Sequence, residues 1–125
     1  MRYLSVEEIL LIHEYQIQEF GGFSGILNLG LLESAVYRPK TTFGGTEKYK
    51  TLFEKAAILA YSLIKNHPFV DGNKRTSMVS AIMFLSLNGH EVAIKQEEVI
   101  KLALEIAKDE MSLEEIIKFY QDHSK

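Results

Sequence analysis

The sequence predicts an all-α fold, a compact bundle of about six helices. Three observations carry this expectation. Apolar residues recur at helical spacing along nearly the whole chain. Two segments are apolar on almost every side, as the central helices of a bundle are when amphipathic ones surround them. Start and stop signals also bracket the periodic runs, with capping boxes at two beginnings and glycine or proline past several ends.

Ser5 with Glu8 three residues on forms a capping box, and an amphipathic helix follows to about Phe20. Gly21-Gly22 and Gly25 end it, because glycine leaves a helix at no steric cost. A short helix is expected from about Leu29 to Tyr37, stopped by Pro39, which disfavours helix at Arg38. Lys40 to Lys48, with Thr41-Thr42 and Gly44-Gly45, breaks the pattern and reads either as a loop or as a small β-flap. The first all-round apolar segment runs from about Tyr49 to Asn66, the second from about Asn73 to Asn88, where the Met and Phe residues read as core. Asn88-Gly89 stops the latter, and His90 to Ile94 links it to a helix near Gln96 to Lys108. Ser112 with Glu115 is a second capping box, opening a last helix through Ile116, Ile117, Phe119 and Tyr120.

At 125 residues the chain is read as one domain spanning 1–125, long enough to bury a core without staples. A content of 46% hydrophobic and 25% charged residues with 2 prolines excludes a disordered chain. The net charge of −3 argues against a polyphosphate-coating surface, and no helix carries a basic stripe with interleaved aromatics, so direct nucleic-acid binding is not expected. The absence of cysteine excludes disulfides and thiolate metal sites. Glutamates stand where a signal peptide would be apolar, and no run approaches a membrane span, so a cytoplasmic protein is expected.

The two central helices are joined by a polar connector, His67-Pro68-Phe69-Val70-Asp71-Gly72-Asn73-Lys74-Arg75. A bundle gains no stability from gathering a histidine, a carboxylate and two cations there, whereas a loop on rigid buried elements holds reacting groups still. Asp71-Gly72-Asn73 leads into a helix whose first turn offers unpaired N–H groups and partial positive charge, the physics of a phosphate cradle. Lys74 and Arg75 are cations at the wrong end of the helix dipole, which implies an anion nearby. Asp71 is a hard oxygen ligand suited to Mg²⁺ accompanying a phosphate, and His67 suits proton removal from an attacking hydroxyl. Each residue alone has a structural reading as cap, turn or solvated charge; nine residues of this kind together point to a site. Gly72-Asn73-Lys74-Arg75-Thr76 lacks the spacing and preceding strand of a P-loop. His13, His90 and His123 form no spacing pattern and read as solvated or structural.

His67 to Arg75 resembles the Fic/Doc family signature H-x-F-x-[DE]-x-N-[GK]-R. The opening, the Gly21-Gly22 break, Gly30-Leu31-Leu32-Glu33-Ser34-Ala35 and the Asn88-Gly89 stop resemble its Doc (death-on-curing) branch, so the likeness covers essentially the whole chain. The resemblance implies that His67 is the catalytic base, Phe69 anchors the loop, Asp71 holds Mg²⁺, Gly72 and Asn73 cradle phosphates, and Lys74 and Arg75 bind them as catalytic cations. Family enzymes that transfer AMP usually have Gly at the position of Lys74 and a second Arg at that of Met78. Lysine there goes with ATP bound in reversed orientation, its γ-phosphoryl facing the histidine. The implied activity is an ATP- and Mg²⁺-dependent protein kinase acting on a Ser or Thr hydroxyl of elongation factor Tu, a growth-arresting toxin. AMP transfer and a catalytically silent binding protein are the alternatives. No glutamate here is followed by Gly or Asn, so the family's inhibitory [ST]-x-x-x-E-[GN] helix is missing, and restraint is expected from a small antitoxin partner. Lys40 to Lys48 lies where the family has a flap over its target.

Overall fold

The computed structural model describes all residues 1–125. Its elements are α1 (Val6–Phe20), α2 (Leu29–Tyr37), a 3₁₀ turn (Arg38–Lys40), β1 (Thr42–Phe43), β2 (Thr46–Glu47), α3 (Leu52–Asn66), α4 (Asn73–Leu87), α5 (Gln96–Ala107) and α6 (Leu113–Asp122). The fold is a compact helical bundle with one small hairpin. Helices α3 and α4 lie at its centre: α3 packs against α4, α2, α5 and α6, while α1 and α5 cover α4. The buried cluster joins Ile9, Leu32, Leu63, Phe69, Met78, Phe84, Leu102, Ile116 and Tyr120, so every helix contributes to it.

The local causes match the expected signals in most places. Both capping boxes form, with Ser5 and Ser112 each accepting from the backbone N–H three residues on and the Glu8 and Glu115 carboxylates reaching back. The Lys40–Lys48 break resolves as an antiparallel hairpin, Thr42 opposite Glu47 and Phe43 opposite Thr46, turned by Gly44 and Gly45, both at positive φ. Lys55, only 2% exposed, ties it down by reaching Glu47 Oε1 at 3.0 Å and the Tyr49 carbonyl.

Two expectations need correction. Helix α3 begins at Leu52 rather than near Tyr49, because the Thr51 hydroxyl accepts from the Glu54 N–H and caps it there. The apolar residues of α4 are not all core: Met83 is 42% and Leu87 43% exposed, since α1 covers only part of that face. Met78 and Phe84 are buried as expected.

The end of α6 is clasped to the start of α5. The Ala93 N–H donates to the His123 carbonyl at 3.0 Å, and the Lys125 N–H to that of Glu91 at 2.9 Å. Both ring nitrogens of His123 face acceptors, the Phe119 carbonyl at 2.7 Å and the Glu98 carboxylate at 3.0 Å. Those two partners raise the His123 pKa, the carbonyl being the larger cause, and the pairing with His123 lowers that of Glu98. The Ser5 N–H and then Arg2 lower Glu8; the Ser112 N–H and hydroxyl lower Glu115. The carboxylates therefore contribute stability that is full above their ordinary value of 4.5 and is lost as pH falls through the depressed values. His123 contributes stability that is full below 6.5 and is lost as pH rises through its raised value. Their joint contribution is expected to peak between 4.5 and 6.5. In a pH series of thermal unfolding, His123→Gln should remove the alkaline decline assigned here to His123, and an unchanged alkaline limb would contradict that assignment.

Candidate active site

Helix α3 ends on His67, whose backbone is left-handed at φ 47°, ψ 56°. Glycine or asparagine is the usual occupant of such a cap, and another L-residue there is strained by about 1–2 kcal/mol. The His67 side chain is exposed and neither ring nitrogen has a partner in the protein. The chain after it is clamped to the segment following α1. The Leu27 and Asn28 N–H groups donate to the Pro68 carbonyl at 2.7 and 3.2 Å, and the Val70 N–H donates to the Gly25 carbonyl at 3.0 Å. Phe69, 1% exposed, sinks between these contacts into the core. The buried Asn73 amide then closes the turn: its Oδ1 accepts from the Phe69 N–H and its Nδ2 donates to the Phe69 carbonyl, each at 2.9 Å. Both ends of that side chain are occupied, so what Asn73 presents outward is its backbone N–H.

Asp71 is exposed and held by backbone donors, Oδ1 by the Gly72 N–H at 2.9 Å and Oδ2 by the Phe23 N–H at 3.3 Å. The second contact requires glycine at position 22. A Cβ there would stand 2.7 Å from Asp71 Oδ2 and 3.3 Å from Ile17 Cδ1, at a φ of +117°. Gly22→Ala is therefore expected to displace the carboxylate and destabilise by about 1–3 kcal/mol. Thermal unfolding checks the stability; an unchanged Phe23 amide chemical shift would show that the contact survives.

Gly72 adopts the left-handed region at φ 76°, ψ 16° and begins α4 without any side-chain cap. The N–H groups of Asn73, Lys74 and Arg75 consequently make no bond within the protein. Neither Lys74 nor Arg75 joins an ion pair, although six form elsewhere. Lys74 extends into solvent, while the Arg75 guanidinium rests 3.7 Å above the Phe20 ring, which supports it and leaves its N–H edge free. These are the features of an anion site: free donors, a helix N-terminus and two uncompensated cations.

His67, Asp71, Gly72, Asn73, Lys74 and Arg75 all line one cleft of about 320 Å³; Phe69 lies beneath it in the core. The opposite wall is the apolar face of α5, Val99, Ile100, Ala103 and Leu104. Sequence reasoning missed that wall, as well as Gly22 and His13. Nothing in the sequence separates it from the core, because Ile100 and Leu104 follow the same helical period as the buried Leu102 and Ile106, and only the fold leaves them 45% and 40% exposed.

Residues 3–85, from just before α1 into the last turn of α4 and including the whole connector, match the family model for the Fic/DOC family. The chain belongs to the Fic/Doc family. Its relatives place it on the Doc branch. It is 43% identical over 91 residues to Toxin Doc of Mycolicibacterium smegmatis, covering 73% of this chain and 68% of that one. It is 32% identical over 116 residues to Protein kinase doc of Escherichia phage P1, covering 93% and 90% respectively.

In this Fic/Doc chain the donor set fits a magnesium–phosphate ligand. Asp71 is the one acidic side chain in the cleft, and no three His, Asp or Glu side chains gather to hold a metal by themselves. A Mg²⁺ that takes its remaining ligands from phosphate oxygens and water suits such a site. Met78 is fully buried and its sulfur accepts from the Tyr120 hydroxyl at 3.6 Å, so this face of α4 is core rather than cleft. Burial pushes the Tyr120 phenol far above its ordinary value, keeping it a neutral donor.

Proposed function

We propose that this chain is a Doc-type toxin, a cytoplasmic protein kinase that uses ATP and Mg²⁺ and is restrained by an antitoxin protein. One observation carries the reading: an unpartnered histidine held in a strained backbone conformation lines the same cleft as an uncapped, doubly cationic helix N-terminus. Strain of this kind persists only where the surrounding structure over-determines it, and it clusters at active sites. The relatives named Toxin Doc and Protein kinase doc support the toxin and kinase assignments respectively.

In the proposed reaction the γ-phosphoryl group of ATP faces His67. An acceptor Ser or Thr hydroxyl gives its proton to a ring nitrogen of His67 as its oxygen bonds to the γ-phosphorus. The bond from that phosphorus to the β–γ bridging oxygen breaks, and ADP leaves. The free N–H groups of Asn73 and Lys74 and the cations of Lys74 and Arg75 stabilise the phosphate charge, while Gly72 lets the backbone approach closely. Asp71 would hold Mg²⁺, which neutralises phosphate charge when bound. The apolar wall of α5 opposite these groups is a surface for the non-phosphate part of the nucleotide. Core packing of Met78 weighs against AMP transfer, since no second arginine reaches the phosphates from that position.

The acceptor proposed is elongation factor Tu, as the family resemblance implies, which makes translation arrest the outcome. The proposed antitoxin supplies the inhibition that the sequence lacks in cis. Expression in bacteria tests the assignment: growth arrest should be relieved by His67→Ala at equal protein level. Arrest that persists in the variant would point instead to a protein that acts by binding.

A further inference from the structure

We infer that His13, mid-way along α1, is a positioning residue of the site: its ring donates to the Asp71 carbonyl and thereby sets the anion-binding turn in place. The inference rests on the phosphate role given above to the start of α4. His13 is 4% exposed, and its ring lies face to face with that of Phe69, the centroids 3.8 Å apart and the planes 7° from parallel. Its Nε2 stands 2.8 Å from the Asp71 carbonyl oxygen. A carbonyl only accepts, so Nε2 carries the proton and donates. No other group in the protein bonds that carbonyl.

The consequence follows from peptide geometry. The chain has no cis peptide bond, and in a trans peptide the C=O and the next N–H point to opposite sides. Drawing the Asp71 carbonyl toward α1 therefore turns the Gly72 N–H away from α1, to the side where Asp71 Oδ1 accepts it. Gly72 is left-handed and Asn73 opens the right-handed helix, the succession that aligns consecutive N–H groups into an anion-binding concavity. Helix α1 lies close under this turn: a Cβ on Gly72 would meet Ile17 Cδ1 at 3.1 Å and His13 Cδ2 and Nε2 at 3.7 Å. Stacking on Phe69 alone would be served by phenylalanine at position 13. The buried ring nitrogen has one partner, and that partner is backbone of the motif.

The test compares wild type, His13→Phe, which keeps a ring but removes the donor, and His13→Gln, which restores an N–H donor without the ring. The probe is magnesium pyrophosphate, followed through the backbone amide resonances of Gly72, Asn73 and Lys74. Wild type should bind saturably through these amides, His13→Phe should bind at least about tenfold more weakly, and His13→Gln should recover most of the difference. Wild-type affinity in His13→Phe would overturn the inference, as would absence of binding in wild type. A folded His13→Gln that binds as weakly as His13→Phe would also overturn it, because the ring and not the donor would then matter. Should His13→Phe fail to fold, His13→Gln alone decides: near-wild-type affinity supports the positioning role, and weak binding contradicts it. Failure of the kinase reading is a separate result, no histidine-dependent phosphoryl transfer by wild type, and leaves these binding outcomes interpretable.

Discussion

Replacing His67 with glycine is expected to give a folded protein, slightly more stable than wild type, whose phosphoryl transfer is reduced roughly 10²–10⁴-fold. The two effects have different causes in one residue. The backbone at position 67 is left-handed, a conformation that glycine adopts without penalty and histidine adopts at about 1–2 kcal/mol. The side chain, by contrast, is exposed and hydrogen-bonds to nothing in the protein, so deleting it breaks no bond and costs little packing. The gain should be about 1 kcal/mol or less, because glycine also loses more chain entropy on folding. Urea unfolding and a transfer assay on the same preparation check the pair. A loss of stability would mean that His67 makes stabilising contacts; retained activity would remove it from the chemistry.

Asn73→Ala is expected to be the most destabilising loss of a polar side chain in the connector, costing roughly 2–6 kcal/mol of stability as well as activity. The amide of Asn73 satisfies both the N–H and the carbonyl of Phe69, and all of these atoms are buried away from water. Alanine orphans both backbone groups at once, at about 1–3 kcal/mol each, where a domain has only about 5–15 kcal/mol in total. Activity should fall too, because the same latch fixes the turn between His67 and α4. The expected signature is a lower urea midpoint with an unchanged slope and faster hydrogen exchange at the Phe69 amide. Asn73→Asp should not rescue it, since a carboxylate accepts from the Phe69 N–H but faces the Phe69 carbonyl without a proton to donate. Wild-type exchange at Phe69 in the alanine variant would contradict the latch.

Much of this architecture is legible in the sequence because its causes are local. Capping boxes at Ser5 and Ser112, Pro39 after α2 and the helical period of each segment act within a few residues of themselves. The connector is equally legible as chemistry, since its residue types are concentrated in nine positions. What the sequence does not display is direction. That Asn73 turns its amide inward while Lys74 faces outward is settled by the left-handed Gly72 and by α1 beneath it, both matters of tertiary context. Gly22 protects Asp71 from 49 positions away, and no periodicity joins the two. His13 left a fainter signal: with Ile9, Gln16 and Ile17 it lies on the buried face of α1, and a polar ring on an apolar stripe asks for a partner. The partner was a backbone carbonyl of the motif, which residue types alone do not announce.

In the proposed reaction the cleft presents the γ-phosphoryl group of ATP to His67. The most direct measurement incubates purified protein, Mg²⁺ and bacterial lysate with ATP labelled at either the α- or the γ-phosphate, with His67→Ala alongside. Label is expected on a protein of elongation-factor size from the γ position only, and none with the variant. Label arriving from the α position would mean AMP transfer and would contradict the reading of Lys74 and Met78; no histidine-dependent label from either position would contradict catalysis with ATP altogether.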